Sequence, residues 1–203
     1  RHAEHGVPLR DRIFAGIARG AKLNQLLGTR SLTNYISRIG IVKAMLDRFL
    51  GIHKSRPLPE FAQTSFVEWF RKNHSVGRAT KNGSVVLFVD TFTNYFQPQV
   101  GKAAVMVLEA LGYAVHITQQ NECCGRPMIS KGLLADARDA AAKNLKSLER
   151  FIEAGTPIIG LEPSCLLVFR DEYPLLVHNS QALKKLADTA AKQSFLIEEF
   201  ITQ

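Results

Sequence analysis

The chain has 203 residues, of which 46% are hydrophobic and 22% are charged, and its formal net charge at pH 7 is +8. This composition excludes a largely disordered or low-complexity protein and predicts a globular protein with a substantial apolar core. No apolar run approaches the roughly 18 to 20 residues that cross a bilayer, and the first residues lack the apolar stretch of a signal peptide. The chain starts without Met, so we expect it to be a piece of a longer protein.

The positive charge is concentrated in the first part of the chain. Residues 1–82 carry 15 Lys and Arg against 5 Asp and Glu, whereas residues 83–203 carry 11 against 13. An asymmetry of this kind indicates a segment that meets an anionic partner. We therefore expect a basic helical connector at 1–82 and an α/β domain at 83–203.

The basic segment predicts short helices. Apolar residues recur at helical spacing over 11–27, 31–50 and 64–73, and the prolines at 55–59 form a rigid connector. A polar linker is predicted at 78–83.

Aromatic residues lie on one side of the third predicted helix. Phe66, Trp69 and Phe70 among basic residues would suit a nucleic-acid arm, but their helix-face spacing is more typical of core or interface packing. We expect no nucleic-acid partner. We expect the segment to pack against other parts of a larger protein or to rest on an anionic membrane surface.

The remainder of the chain alternates strands with helices. Apolar runs of strand length occupy 84–90, 113–118 and 156–161, and helices are predicted between them at 98–111 and 133–154. This order is typical of parallel strands with right-handed crossovers. The predicted fold class is α/β: a Rossmann-like half-domain with a parallel sheet, preceded by a small basic helical segment.

All three cysteines follow predicted strands. Cys123 and Cys124 lie in a loop at 119–130 after the second strand, and Cys165 begins a helix after the third. Because the carboxyl ends of parallel strands meet at one edge of a sheet, we expect these thiols to converge there. Iron–sulfur clusters and zinc select thiolate ligands, so the pattern predicts a metal or redox site.

The two residues after the cysteine pair suit such a site. Gly125 permits a turn with positive φ and a close approach of backbone amides to a sulfur-rich anion. Arg126 adds positive charge that favours thiolate. Three cysteines, two of them adjacent, do not make a disulfide framework, which favours a reducing cytoplasmic environment.

Two other uses of the cysteines are open on the sequence alone. With His116 or His178 they would form a Cys3His zinc site in a structural or interaction module without redox activity. A hydrolase with Cys165 as its nucleophile would need a histidine and a carboxylate, for which His178 and Glu162 are the candidates. Visible absorption separates zinc from an iron–sulfur cluster.

Several motifs resemble a known family. A Cys-Cys-Gly motif at 123–125, a long helix and Glu-Pro-Ser-Cys at 162–165 resemble the cysteine-rich CCG domain. That domain occurs in the heterodisulfide reductase B subunit, the glycolate oxidase iron–sulfur subunit and the C subunit of anaerobic glycerol-3-phosphate dehydrogenase. The run Asp-Thr-Phe-Thr-Asn-Tyr-Phe at 90–96 resembles the branch fused to FAD-linked oxidases, or D-2-hydroxyacid dehydrogenases, and to a ferredoxin-like module.

The resemblance implies an iron–sulfur electron-transfer portion of an FAD-linked 2-hydroxyacid oxidoreductase, which passes electrons from flavin towards a quinone or another acceptor. The implied cofactors are a cluster of the 4Fe-4S type and, in the parent protein but not in this chain, FAD. The implied partners are upstream FAD and ferredoxin-like domains, a second CCG repeat, and a membrane surface or quinone. The implied location is cytoplasmic or peripheral on the inner face of the membrane. The implied site consists of the metal ligands Cys123, Cys124 and Cys165 and the cofactor-binding residues Asn94, Gly125 and Arg126.

The chain departs from the family pattern in two places. Thr91 stands where the wider family carries the Cys of a Cys-x-x-Asn pattern, whereas Asn94 is retained. Three thiolates are one fewer than a usual four-cysteine cluster. The family also has two CCG repeats and this chain has one, so we expect a complete site to need the second repeat.

Overall fold

The computed structural model describes residues 6–74, 81–118 and 122–202. Parts of the predicted linker at 78–83 and of the predicted loop at 119–130 therefore lie outside the described residues. In chain order the elements are α1 (Leu9–Ala15), α2 (Ile17–Leu26), α3 (Arg30–Arg38), α4 (Gly40–Leu50), α5 (Phe66–Asn73), β1 (Ser84–Phe88), α6 (Thr91–Tyr95), α7 (Pro98–Ala110), β2 (Ala114–Ile117), α8 (Arg126–Ser130), α9 (Leu134–Glu153), β3 (Ile158–Gly160), α10 (Pro163–Leu167), a π-helical turn (Val168–Glu172), α11 (Tyr173–Leu176), α12 (Gln181–Gln193), β4 (Ser194–Leu196) and α13 (Ile197–Ile201).

The strands form one parallel sheet in the order β2-β1-β3-β4. Val86 of β1 is in register with His116 on one side and Ile158 on the other. The chain passes from β1 to β2 and then crosses to β3 on the opposite side, so the direction of strand addition reverses beside β1. This arrangement confirms the predicted α/β fold with a Rossmann-like half-domain. Strand β4 was not predicted from the sequence pattern.

Helices cover both faces of the sheet because its strands are apolar on both sides. Along β1, Val86 and Phe88 belong to a core that includes residues of α9 and α12. Val85 and Leu87 belong to the opposite core, which includes residues of α5 and α7. Each of these four side chains is at most 1% exposed. A continuous apolar run in the sequence therefore corresponds to a strand buried on both faces.

Helix α5 enters the core of the sheet although it belongs to the basic segment. The hydroxyl of Ser65 accepts the backbone N–H of Glu68, and the Glu68 carboxylate accepts the backbone N–H of Ser65, which fixes the start of the helix. Phe66 and Phe70 are buried against the sheet. Gly101 of α7 permits this approach, because a Cβ there would lie 2.6 Å from Phe66 Cδ2. The domain boundary between residues 82 and 83 stays a prediction.

The other helices of the basic segment are shorter than predicted. The region 11–27 is divided at Gly16, where a Cβ would lie only 3.2 Å from the carbonyl oxygen of Arg12. The region 31–50 is divided at Ile39, whose extended backbone (φ −68°, ψ 129°) cannot continue a helix. Periodicity does not reveal these breaks, because the apolar spacing continues across both.

Helices also occupy segments that were predicted as turn or loop. Asp90 begins α6, and its carboxylate accepts the backbone N–H groups of Phe92 and Thr93. Helix α8 begins directly after Gly125, inside the predicted loop. The Asp90 carboxylate thus gives hydrogen-bond partners to two backbone N–H groups at the carboxyl edge of the sheet.

Helices α1–α4 expose much apolar surface. Among the described residues, 12 of the 21 large apolar side chains that are exposed lie between residues 9 and 49. On α4, Ile41, Met45 and Phe49 follow one another at four-residue spacing and are all exposed. Within the part of the chain that the structure describes, no helix has the length and apolar character needed to cross a bilayer.

Candidate metal centre

The three cysteines lie together beyond the carboxyl ends of the strands. Cys124 Sγ is 3.1 Å from Cys165 Sγ, and Cys123, the neighbour of Cys124 in the chain, is buried in the same core as both. All three are free thiols, with relative exposures of 8% for Cys123, 2% for Cys124 and 8% for Cys165. The expected convergence of the thiols at one sheet edge is confirmed, whereas their role as metal ligands stays a prediction.

Cys123 and Cys124 favour their protonated forms in the metal-free protein. The hydrogen bond with Cys124 and burial raise the pKa of Cys123 far above its usual range. For Cys124, the hydrogen bond with Cys123 lowers the pKa, but the hydrogen bond with Cys165 and burial outweigh it and the pKa is raised. A metal that binds thiolates would therefore have to displace protons here.

Backbone amides of the turn after the cysteine pair point towards the sulfur atoms. The amide of Gly125 donates to Cys123 and the amide of Arg126 donates to Cys124. Gly125 has φ +96°, a left-handed conformation that other residues adopt with strain. The sequence prediction of a positive-φ turn that brings amides close to sulfur is therefore confirmed in its geometry.

The guanidinium of Arg126 is directed to a carboxylate. Arg126 Nη1 forms an ion pair with Glu172 Oε1, at the end of the π-helical turn. The Arg126 side chain therefore pairs with Glu172, and it is the backbone amide of Arg126 that lowers the pKa of Cys124. This pair also connects the loop after β2 to the segment after β3.

Helix α6, directly after β1, supplies Thr91 and Asn94 to the same region. The side chain of Thr91 lowers the pKa of Cys123, so its hydroxyl lies near that thiol. Thr91 stands at the position where the family described above carries a cysteine. Asn94 Oδ1 accepts the backbone N–H of Val67 at 3.1 Å and so ties α5 to this loop. A cofactor-binding role for Asn94 stays a prediction.

Asn144 is a site residue that the sequence analysis did not identify. It lies on α9 and is fully buried. Its Oδ1 accepts the N–H of Glu122 at 3.0 Å, and its Nδ2 donates to the carbonyl oxygen of Cys123 at 3.1 Å and to the hydroxyl of Tyr173 at 2.9 Å. One amide therefore fixes the start of the cysteine loop. The available signal was a polar residue on the otherwise apolar face of a long helix.

Tyr173 lies under the cysteines immediately after the π-helical turn. Its side chain is fully buried, and burial raises the pKa of its hydroxyl well above the usual range. The π-helical turn lies between Cys165 and Tyr173, and turns of this kind are frequent at functional sites. The segment after β3 thus contributes the thiol of Cys165 and the neutral hydroxyl of Tyr173 to the group of side chains around the cysteines.

His116 does not complete a metal site. Its ring packs 5.5 Å from the ring of Phe151, and burial lowers its pKa. Within residues 6–74, 81–118 and 122–202, no three or more His, Cys, Asp or Glu side chains are arranged to hold a metal ion. The three thiols therefore lie together but do not form a complete coordination site among the described residues. This arrangement gives no support to the Cys3His zinc alternative.

The two residues that a hydrolase would need are engaged elsewhere. Glu162 caps α10 by accepting the backbone N–H and the hydroxyl of Ser164. His178 Nδ1 lies 2.6 Å from the carbonyl oxygen of Leu175. A nucleophilic use of Cys165 receives no support from these positions.

Comparisons with known proteins match the part of the chain that carries this site. Residues 86–170 match the family model of a cysteine-rich domain, CCG. The match includes the three cysteines and the strands that precede them. No solved structure matches the chain.

The similar curated proteins are named as dehydrogenases, their subunits or utilization proteins. The chain is 33% identical over 144 residues to the C subunit of the anaerobic glycerol-3-phosphate dehydrogenase of Escherichia coli (strain K12), which covers 70% of this chain and 36% of the relative. It is 34% identical over 117 residues to lactate utilization protein A of Bacillus pumilus, covering 58% and 47%. It is 24% identical over 182 residues to D-2-hydroxyglutarate dehydrogenase of Haemophilus influenzae, covering 85% and 17%. The chain thus spans less than half the length of each.

Proposed function

Residues 86–170 belong to the cysteine-rich CCG family, and from this we propose that the chain is an iron–sulfur electron-transfer portion of a larger oxidoreductase. The observation that carries the proposal is the meeting of thiols from two separate strand ends, with Cys124 Sγ and Cys165 Sγ 3.1 Å apart. Soft thiolate ligands at the carboxyl edge of a parallel sheet suit an iron–sulfur cluster.

The side chains present fit part of such a site. Cys123, Cys124 and Cys165 supply three thiols, and the amides of Gly125 and Arg126 already donate towards two of them. A cluster with four cysteine ligands needs one more thiolate, which we assign to a second CCG repeat or another subunit. When bound, such a cluster accepts and releases single electrons.

The chain's own residues would position and shield the group. Asn144 fixes the backbone before Cys123 and Cys124, so the thiols are directed before any metal binds. The low exposure of all three cysteines limits the contact of their sulfur atoms with bulk water. Because the pKa of Cys123 and of Cys124 is raised, these thiols release their protons on metal binding.

The more specific part of the proposal concerns the reaction and the substrate of the parent protein. We assign to it an FAD-linked oxidation of a 2-hydroxy acid, with electrons passing from flavin through this region to a quinone or another acceptor. The names of two of the three relatives support this class, since lactate and D-2-hydroxyglutarate are both 2-hydroxy acids, whereas the third is named for glycerol 3-phosphate. A 4Fe-4S cluster is the type we assign.

Helices α1–α4 are the surface that we assign to contact with the rest of the parent protein, namely its upstream FAD and ferredoxin-like domains. The support is their exposed apolar side chains together with the small share, 17%, that the matched region makes of the Haemophilus influenzae relative. A cytoplasmic location and a contact with the inner face of the membrane stay predictions.

Anaerobic reconstitution of the chain with ferric iron, sulfide and excess 2-mercaptoethanol tests the proposal, because the small thiol reduces part of the iron and can also supply the missing ligand. We expect a broad visible absorption band with stoichiometric iron and sulfide, which Cys124→Ser abolishes. Ser164→Ala, a variant beside Cys165 that leaves every thiol in place, is the matched control and is expected to retain the band. A folded but colourless protein, or one that takes up only zinc, would contradict the proposal.

A further inference from the structure

Tyr173 lies close to all three thiols and is fully buried. It shares one core with Cys123, Cys124 and Cys165. Burial raises the pKa of its hydroxyl well above the usual range, and negative charge on the thiols raises it further, with Cys124 contributing most among the three. The hydroxyl is therefore within electrostatic reach of each of the three sulfur atoms, and it stays protonated at neutral pH.

Asn144 holds this hydroxyl beside the cysteine pair. Its Nδ2 donates to the Tyr173 hydroxyl oxygen at 2.9 Å and to the carbonyl oxygen of Cys123 at 3.1 Å. The amide cannot turn freely, because Asn144 is fully buried and its Oδ1 accepts the N–H of Glu122. One nitrogen atom thus fixes the Tyr173 oxygen next to the backbone that carries two of the thiols.

The hydroxyl proton of Tyr173 has no use in the metal-free protein. The hydroxyl accepts a hydrogen bond from Asn144, and no atom of the residues that the structure describes accepts its proton. The carboxylate that precedes it in the chain, that of Glu172, is paired with Arg126. A buried donor without an acceptor costs free energy in the folded protein, and an anionic atom bound among the thiols would satisfy it.

Metal binding creates such acceptors at the thiols. In the metal-free protein Cys124 Sγ donates to Cys165 Sγ. Thiols that bind a metal lose their protons, so this internal donor disappears and each sulfur atom becomes more negative. Hydrogen bonds to anionic atoms are strong in a buried site. The Tyr173 hydroxyl is then a neutral donor within a group of buried, negatively charged acceptors.

We propose that the Tyr173 hydroxyl donates a hydrogen bond to a sulfur atom of the iron–sulfur cluster and thereby raises the reduction potential of the cluster. The inference rests on the proposed function and deepens it. Reduction adds one negative charge, and a hydrogen bond to sulfur stabilises the reduced form more than the oxidised form. Tyr173 therefore controls how readily the site accepts an electron, whereas the cysteines hold the metal.

An anaerobic redox titration of the reconstituted chain, followed by visible absorption, tests the inference. Tyr173→Phe removes the hydroxyl and keeps the ring, so the variant is expected to take up iron and to have a lower potential. At the midpoint of the unmodified protein, we expect its ratio of reduced to oxidised cluster to be about tenfold lower, which corresponds to about 59 mV for one electron.

Tyr113→Phe is the matched control. Tyr113 directly precedes β2, at the end of the strand opposite to the cysteines, and its ring lies 5.1 Å from the ring of Phe200. The substitution removes the same hydroxyl group from a tyrosine that is far from the thiols along the strand. It is expected to leave the potential unchanged.

A second replacement acts in the opposite direction. Site-specific incorporation of 3,5-difluorotyrosine in place of Tyr173 keeps the hydroxyl and makes it a stronger donor, because fluorine withdraws electron density from the oxygen. We expect a potential above that of the unmodified protein. A role of Tyr173 in packing alone would not produce shifts of opposite sign. If Tyr173→Phe takes up no iron, the direction of the shift with difluorotyrosine decides.

The outcomes separate this inference from the proposed function. An unmodified protein that forms no cluster contradicts both. A loaded protein whose potential neither replacement of Tyr173 changes overturns this inference alone, and the electron-transfer proposal stands. Equal shifts in Tyr173→Phe and Tyr113→Phe would also overturn it, because the effect would not depend on the hydroxyl beside the thiols.

Discussion

The sulfur atoms of Cys124 and Cys165 lie 3.1 Å apart although 41 residues separate the two cysteines along the chain. They follow β2 and β3, which are not neighbours, because β1 lies between them. The two thiols therefore meet above the end of the central strand β1. This contact forms only when β2 and β3 are both paired with β1, so it depends on the folding of the whole half-domain.

The closeness of these thiols predicts a specific crosslink. Mild oxidation of the metal-free protein with diamide is expected to join Cys124 to Cys165, with the two thiols losing two electrons and two protons to the diamide. Peptide mass mapping identifies the product. Cys123→Ser should retain the crosslink and Cys165→Ser should lose it. A predominant Cys123–Cys124 product would contradict the geometry.

Asn144→Ala is expected to lower the free energy of unfolding by about 2 to 4 kcal/mol, because it leaves the N–H of Glu122 and the carbonyl oxygen of Cys123 buried without their partner. Urea unfolding followed by Trp69 fluorescence measures the change. Asn73→Ala, at an exposed position, is the matched control, with an expected change within about 0.5 kcal/mol. Equal effects of the two substitutions would refute the positioning role of Asn144.

Two glycine substitutions are expected to act in opposite directions. Gly125→Ala should destabilise the protein by about 1 to 2 kcal/mol, because Gly125 has φ +96°. Gly20→Ala should stabilise it by roughly 0.5 to 1 kcal/mol, since Gly20 lies inside α2 with no atom within 4 Å of an added Cβ. Thermal unfolding of both variants measures the difference, and a stabilising Gly125→Ala would exclude the positive-φ turn.

Stability is expected to fall in acid partly through Glu68. Burial alone would raise the pKa of Glu68, but hydrogen bonds from Arg30 and the Ser65 backbone lower it from 4.5 to about 2. Because the folded pKa lies below the unfolded one, this contribution is present above about pH 4.5 and is lost as the pH falls towards 2.

Urea midpoints measured from pH 7 to pH 2.5 check this dependence. Glu68→Gln should show a smaller loss of stability between pH 5 and pH 2.5 than the unmodified chain. Glu149→Gln, at an exposed position on α9, should keep the original profile. Identical profiles for all three proteins would rule out a contribution from Glu68.

Thr91→Cys is expected to increase the iron retained after anaerobic reconstitution without added small thiol. The Thr91 side chain is near enough to Cys123 to lower the pKa of its thiol, so a thiol at this position would lie near the other three. Iron and sulfide content and visible absorption give the readout. Thr189→Cys, which adds a thiol at a partly exposed position of α12, is the matched control. Equal gains in both variants would show that the position of the added thiol does not matter.

The sequence by itself determined the order of the first three strands, the long helices between them and the placement of the cysteines after strands. Apolar runs of strand length and helical periodicity are local signals, and parallel strands necessarily bring their carboxyl ends to one edge. The positive φ of Gly125 was likewise predictable, because the requirement for glycine is set by the backbone at that residue.

Only the tertiary structure decided which groups meet. Pairing of β2 and β3 with β1 sets the contact between Cys124 and Cys165, and the packing of α9 brings Asn144 to the cysteine loop. The Arg126 side chain pairs with Glu172 because the segment after β3 passes beside the loop after β2. These contacts join residues distant in sequence, so no local pattern encodes them.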